Sequence, residues 1–125
     1  PPVWNFYTRS ALIASERCLI PFDCDAFSRQ ALYTLLQQVR EISCDHNPQL
    51  EVDRIVANQF QPRARLPRQL LEEMLAGELP VLETKLSSSI KIRESHQHCK
   101  APVFMDPQHK ITLEFRNLYH ELQSN

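Results

Sequence analysis

The sequence predicts an α/β fold in which a small parallel sheet is linked by helical crossovers. Three observations support this. Short apolar runs alternate with longer segments whose apolar residues recur at helical spacing, an order that gives parallel strands joined by right-handed connections. Helix-capping residues stand at most of the changeovers. The chain of 125 residues, 42% hydrophobic and 23% charged, has the length and balance of one globular domain with one modest core.

Taken in order, Asn5 is placed to cap a first helix carrying Phe6, Ala11, Leu12 and Ala14. "CLIPF", Cys18 to Phe22, is a short apolar run of the kind buried in a parallel sheet. Asp25 then opens a second helix with Phe27, Ala31, Leu35, Leu36, Val39 and Ile42 at helical spacing. "DHNPQ" is a turn. "VDRIVANQF" is a second strand, strongest over Ile55-Val56-Ala57. Pro67 sits at the start of a third helix with Leu70, Leu71, Met74 and Leu75 on its apolar face, and Gly77 is its expected C′ residue.

"LPVLET" makes a third, short strand, and a helix beginning near Ile90 follows a serine loop. Asp106-Pro107 has the form of an N-cap and a first-turn proline for a last helix with Ile111, Phe115, Leu118, Tyr119 and Leu122 along one side. The order is α-β-α-β-α-β-α-α. Three strands are few for such a sheet. Together with an opening Pro1-Pro2 and no methionine there, this leads us to expect a single segment, residues 1–125, of a longer protein. Its sheet should then expose apolar surface where strands of the missing portion would pair.

The formal net charge of −1 gives no global pull toward nucleic acid or membrane, so any electrostatic site is local. No apolar run approaches the roughly 20 residues that span a bilayer, and the N-terminus has no signal pattern. Cys18, Cys24, Cys44 and Cys99 show no C-x-x-C spacing and read as free thiols. A single glycine, Gly77, leaves no glycine-rich loop to cradle phosphates.

Ligands of open parallel sheets bind outside the carboxyl ends of the strands. Those ends are Asp23-Cys24-Asp25, Asn58-Gln59-Phe60 and the stretch Glu83 to Ser89. Asp23 or Asp25 is a general base or metal-side carboxylate, or Asp25 simply caps its helix. Asn58 either meets a base edge or ends its strand in a turn. Arg63, Arg65 and Arg68 crowd one helix start with no acid among them. They form a solvated basic face or a polyanion site, since cations there oppose the helix dipole. "HQHC", His96 to Cys99, lacks a second ligand cluster at zinc spacing, so no metal site is expected.

In order and spacing, these pieces resemble the C-terminal half of the ParA/MinD-type (Soj-like) partition ATPases, which have a deviant Walker A P-loop fold. Pro1-Pro2 is similar to the end of the D-x-P-P switch segment. "ALIASERCLIPFDCDAFSRQAL" is similar to N-A-L-x-A-A-D-x-V-L-I-P-x-Q-C-E-x-x-A-L-x-G-L. "IVANQFQPRARLPRQLLEEM" resembles the strand, adenine-side loop and following helix. "LSSSIKIRES" with "KAPV" resembles I-P-R-N-V-R-L-S-E-A with G-K-P-V, and "DPQHKITLEFRNLYHEL" the closing helix.

The resemblance implies a partial P-loop NTPase fold lacking its N-terminal Walker A half. It implies an ATPase of plasmid or chromosome partition that dimerises with ATP and Mg, binds DNA nonspecifically and answers to a ParB-like centromere-binding protein. Such a protein is cytoplasmic and nucleoid-associated, with no membrane role. Asn58 and Gln59 fall on the adenine side, and Ser87 on a proline packed near the base. Arg63 falls on a DNA-contacting arginine. A second such arginine is replaced by Ser88, with Arg65, Arg68, Lys85, Lys91 and Arg93 as the further cations. Asp23 and Asp25 fall on a Gln and a Glu near the dimer face. Without the Walker lysines and magnesium ligands, this segment alone is expected to hold no cofactor tightly and to hydrolyse no ATP. The rival classes are an amidoligase relative of the cobyrinic acid diamide synthase type and a nucleotide-free interaction module.

Overall fold

The computed structural model describes residues 4–124; the Pro1-Pro2 expectation lies outside them. The elements are α1 (Phe6–Ile13), β1 (Arg17–Asp23), α2 (Ala26–Asp45), β2 (Glu51–Phe60), α3 (Arg65–Ala76), β3 (Val81–Ser87), α4 (Ile90–Gln97), α5 (Pro102–Met105) and α6 (Lys110–Gln123). The strands form one sheet in the order β1-β2-β3, and both pairings are parallel. Each crossover is a helix, as the alternating pattern requires.

The parity of the strands divides the core in two. On one face Ile20, Phe22, Ile55 and Ala57 pack under Leu32 of α2 and Leu70, Leu71 and Met74 of α3. On the other, Val56, Leu82 and Leu86 meet Ile111 and Leu118 of α6. No residue of β1 joins this second cluster. Leu19, which alternates with buried Ile20, is 42% exposed. The expected uncovered apolar surface therefore lies on β1. A third cluster, Val39, Ile42 and Leu50, seats α1 through Leu12 and Trp4. Asn47 Nδ2 closes the end of α1 by donating to the carbonyls of Ile13 at 2.9 Å and Ser15 at 2.6 Å.

Asn5 and Asp25 cap their helices as expected, accepting from the backbone N–H of Thr8 at 3.0 Å and of Ser28 at 2.7 Å. Three expectations are corrected. Gly77 is the C-cap of α3 with φ −81, and Glu78 takes the left-handed position with φ 57. Bonds from Leu79 N–H to Met74 and from Glu78 N–H to Leu75 close the helix around it. Asp106 does not open the last helix; it ends α5, and its carbonyl accepts from Thr112 Oγ1 at 2.7 Å. The cap of α6 is His109, whose Nδ1 accepts from the N–H of Ile111. Phe27 and Tyr119 do not join an apolar core, being 91% and 61% exposed.

Candidate functional site

A cleft of about 270 Å³ opens at the carboxyl ends of β2 and β3. It gathers the three residues expected at a base: Asn58 and Gln59 from the end of β2, and Ser87 from the end of β3. Ser88, Ser89 and Arg93 add to its polar wall, and Leu86, Ile92, Ile111 and Phe115 supply an apolar floor. An apolar floor with a few convergent polar groups is the usual make-up of a small-molecule site.

Backbone geometry explains how two consecutive side chains reach one place. In a regular strand, Asn58 and Gln59 would point to opposite faces. Gln59 instead has φ 50, and the pairing with β3 shifts register between Ala57 and Phe60. Both amides thereby converge on Asp23, at the end of β1: Asn58 Nδ2 donates to Oδ1 at 2.9 Å and Gln59 Nε2 to Oδ2 at 3.2 Å. A left-handed non-glycine residue costs on the order of 1 kcal/mol, which the two bonds offset. Phe60 also returns to the buried side, where Lys85 Nζ lies 5.8 Å from its ring centroid.

The opposite lip is fixed from α6. Glu114 accepts from the Ser87 backbone N–H and from Ser87 Oγ, both at 2.7 Å. Two helical turns on, Glu121 accepts from the N–H groups of Glu83 at 2.7 Å and Thr84 at 2.9 Å. Partial burial pushes Glu121 up. The hydrogen bonds from Thr84 and Glu83 and the charge of Arg54 outweigh it and hold the carboxyl below its ordinary range. These bonds also occupy donors of β3, which has one sheet neighbour among the described residues. The seven-residue spacing of Glu114 and Glu121 is visible in the sequence, but nothing local marks their partners, 27 to 38 residues away.

Asp23 and Asp25 thus both have work within the chain, the first anchoring amides and the second capping α2. Cys24 lies between them. Burial pushes its thiol up to about 11, aided by Asp23 and Asp25 and opposed by Lys85. Arg63, Arg65 and Arg68 are exposed at the start of α3, with no carboxylate in ion-pair range among the described residues. At the start of α4, Lys91 is held by Glu94 at 3.2 Å and Asp106 at 3.7 Å, while Arg93 lines the cleft. No three His, Cys, Asp or Glu side chains gather where a metal ion could sit among the described residues.

A parallel sheet with helical crossovers, and its polar groups collected at the strands' carboxyl ends, is a partial P-loop NTPase fold. The family model described as an AAA domain matches residues 1–52. The sporulation initiation inhibitor protein Soj of Bacillus subtilis is 25% identical over 126 residues, covering 100% of this chain and 50% of its own length. The chromosome partitioning protein ParA of Myxococcus xanthus is 25% identical over 123 residues, 98% of this chain and 44% of its own. The chromosome-partitioning ATPase Soj of Treponema pallidum is 25% identical over 100 residues, 78% and 39% respectively. At 25% identity, these likenesses support a relationship to the ParA/MinD-type partition ATPases. It spans about half the length of the curated relatives it matches.

Proposed function

We propose that residues 1–125 form the C-terminal part of a ParA-like ATPase domain that serves DNA partition. The observation that carries this is the cleft, which gathers Asn58, Gln59 and Ser87 around an apolar floor. In this proposal these three residues hold the adenine of ATP. The phosphates and Mg would be held by residues upstream of position 1, since this segment offers no glycine-rich phosphate loop. The chemistry that ATP and Mg supply when bound is phosphoryl transfer; these residues contribute base binding and orientation.

Two further parts of the proposal concern partners. Arg63, Arg65 and Arg68 present exposed positive charge at a helix start, which suits phosphates of any sequence. Lys91 and Arg93 lie at the other helix start on the serine-loop side. ATP-dependent homodimerisation, with Asp23 and Asp25 near the dimer face, and stimulation by a ParB-like centromere-binding protein complete it. Work on the nucleoid in the cytoplasm follows from that role. No helix among the described residues is long and apolar enough to cross a membrane.

The test is nucleotide affinity in the full-length protein. Asn58→Ala should weaken ATP binding by about 1–3 kcal/mol, the range for a buried polar group left unpaired. Unchanged affinity would return Asn58 to a purely structural role and remove the cleft from nucleotide binding.

A further inference from the structure

The cleft's polar wall is backed by two carboxylates that do not themselves line it, Asp23 behind Asn58 and Gln59, and Glu114 behind Ser87. Each takes hydrogens away from the lining. A serine hydroxyl has one hydrogen, and that of Ser87 goes to Glu114 Oε1 at 2.7 Å, so what Ser87 Oγ has left to offer is lone pairs. Asn58 and Gln59 are anchored by their NH₂ groups at 2.9 and 3.2 Å, which turns both carbonyl oxygens away from Asp23. The strand side of the cleft is therefore biased toward acceptors.

The α4 side has the opposite character. Ser89 Oγ accepts from the N–H of Lys91 and so keeps its hydrogen to donate, and Arg93 can only donate. An amino-purine edge presents a donor, the exocyclic amine, beside ring-nitrogen acceptors. An oxo-purine edge puts an acceptor where the amine would be.

We propose that Asp23 and Glu114 are positioning residues that set the hydrogen-bond polarity of this cleft and thereby select an amino-purine over an oxo-purine. The proposal rests on the nucleotide function above and adds the groups that decide which base is admitted. It differs from a structural clamp in one respect. Exchanging a carboxylate for its amide preserves shape but changes which partner must donate.

The experiment compares adenosine and inosine triphosphates by equilibrium binding to the full-length protein. The parent should prefer the adenosine nucleotide by at least about tenfold, the equivalent of one well-made hydrogen bond. In Glu114→Gln the amide oxygen can still accept from the Ser87 N–H, while its NH₂ donates to Ser87 Oγ and releases the hydroxyl hydrogen to the cleft. The preference should fall about tenfold, chiefly through tighter binding of the inosine nucleotide. Asp23→Asn should act in the same direction, because a single amide oxygen cannot accept from Asn58 and Gln59 as two carboxylate oxygens do.

Equal weakening of both nucleotides, or an unchanged preference in both variants, would overturn the proposal while leaving nucleotide binding in place. If the parent binds neither nucleotide, the function itself fails and the proposal with it. A measurement without nucleotide separates these cases. Amide exchange at Ser87 should quicken at least tenfold in Glu114→Ala, and should remain slow in Glu114→Gln. Unaltered exchange in Glu114→Ala would dissolve the Ser87–Glu114 pair, and with it the proposal, whatever binds.

Discussion

The starts of α3 and α4 look alike in sequence, each with basic residues two or three apart, yet the fold treats them in opposite ways. The first turn of α4 is closed by Ser89, whose side chain accepts from the N–H of Lys91, and the charge of Lys91 is answered by Glu94 and Asp106. At α3 the N-cap is Ala64, which has no side-chain cap bond, and Arg63, Arg65 and Arg68 stand exposed around it. Cations at a helix N-terminus oppose its dipole by up to about 1 kcal/mol each. At α4 the charge of Lys91 is answered within the chain, while Arg93 and the three arginines at α3 have no carboxylate in ion-pair range among the described residues. The difference teaches that a basic run in the sequence does not reveal which of its charges the fold pairs and which it leaves exposed.

The largest expected effect tests this asymmetry on DNA. In the full-length, ATP-bound protein, Arg63→Ala should lower affinity for all duplexes alike and flatten the salt dependence by about one unit of slope. The triple Arg63, Arg65 and Arg68 to Ala variant should flatten it by roughly 2.7 units if each meets one phosphate. Lys91→Ala should leave the slope nearly unchanged, because its charge is already paired. Titrations of nonspecific duplex at several salt concentrations measure all three. Equal slope changes at the two helix starts would break the comparison.

The next effect concerns stability. Ala64 has the extended backbone of an N-cap, with φ −80 and ψ 140, but no side chain to use. Ala64→Asp should therefore stabilise the fold by about 0.5–2 kcal/mol, and should weaken DNA binding by answering the arginine charge. Ser89→Ala should destabilise by a similar amount with little effect on DNA. Denaturant midpoints and the same titrations provide the check. A cap introduced at Ala64 that changed neither quantity would show that α3 is not waiting for an anion.

The contrast between the two helix starts also marks where the sequence stopped being informative. Signals that act within one turn were legible: Asn5 and Asp25 as caps, the three strands, and the helices between them. Asp106-Pro107 misled because Ala101-Pro102 starts a short helix first, and Asp106 then serves as its end. At the end of α3, the lone glycine drew attention from Glu78, which takes the left-handed position without being the usual residue for it. In the cleft, Asn58 and Gln59 were legible from their place at a strand end, whereas Ser87 was singled out only by the family resemblance. The carboxylates behind them were not, because Glu114 and Ser87 are 27 residues apart and no local pattern links them.

That long-range layer supports the smallest of the expected effects, which concerns how β3 and the serine loop leading to α4 are held to α6. Glu121 anchors β3 through the N–H groups of Glu83 and Thr84, upstream of the Ser87 contact with Glu114. Glu121→Gln keeps the shape and removes the charge, so it should cost about 1 kcal/mol at neutral pH. The pH dependence has a definite sign. The folded carboxyl is held below its ordinary value, so its contribution is fully present above roughly pH 5, where the unfolded carboxyl is ionised. It declines as pH falls through the lowered folded value, once the native carboxyl is protonated as well. The stability gap between parent and Glu121→Gln should therefore be flat near neutrality and should close in acid. Chemical denaturation of the full-length protein from pH 7 downward would follow it. A gap that persisted unchanged through that range would mean that shape, not charge, holds β3 to α6.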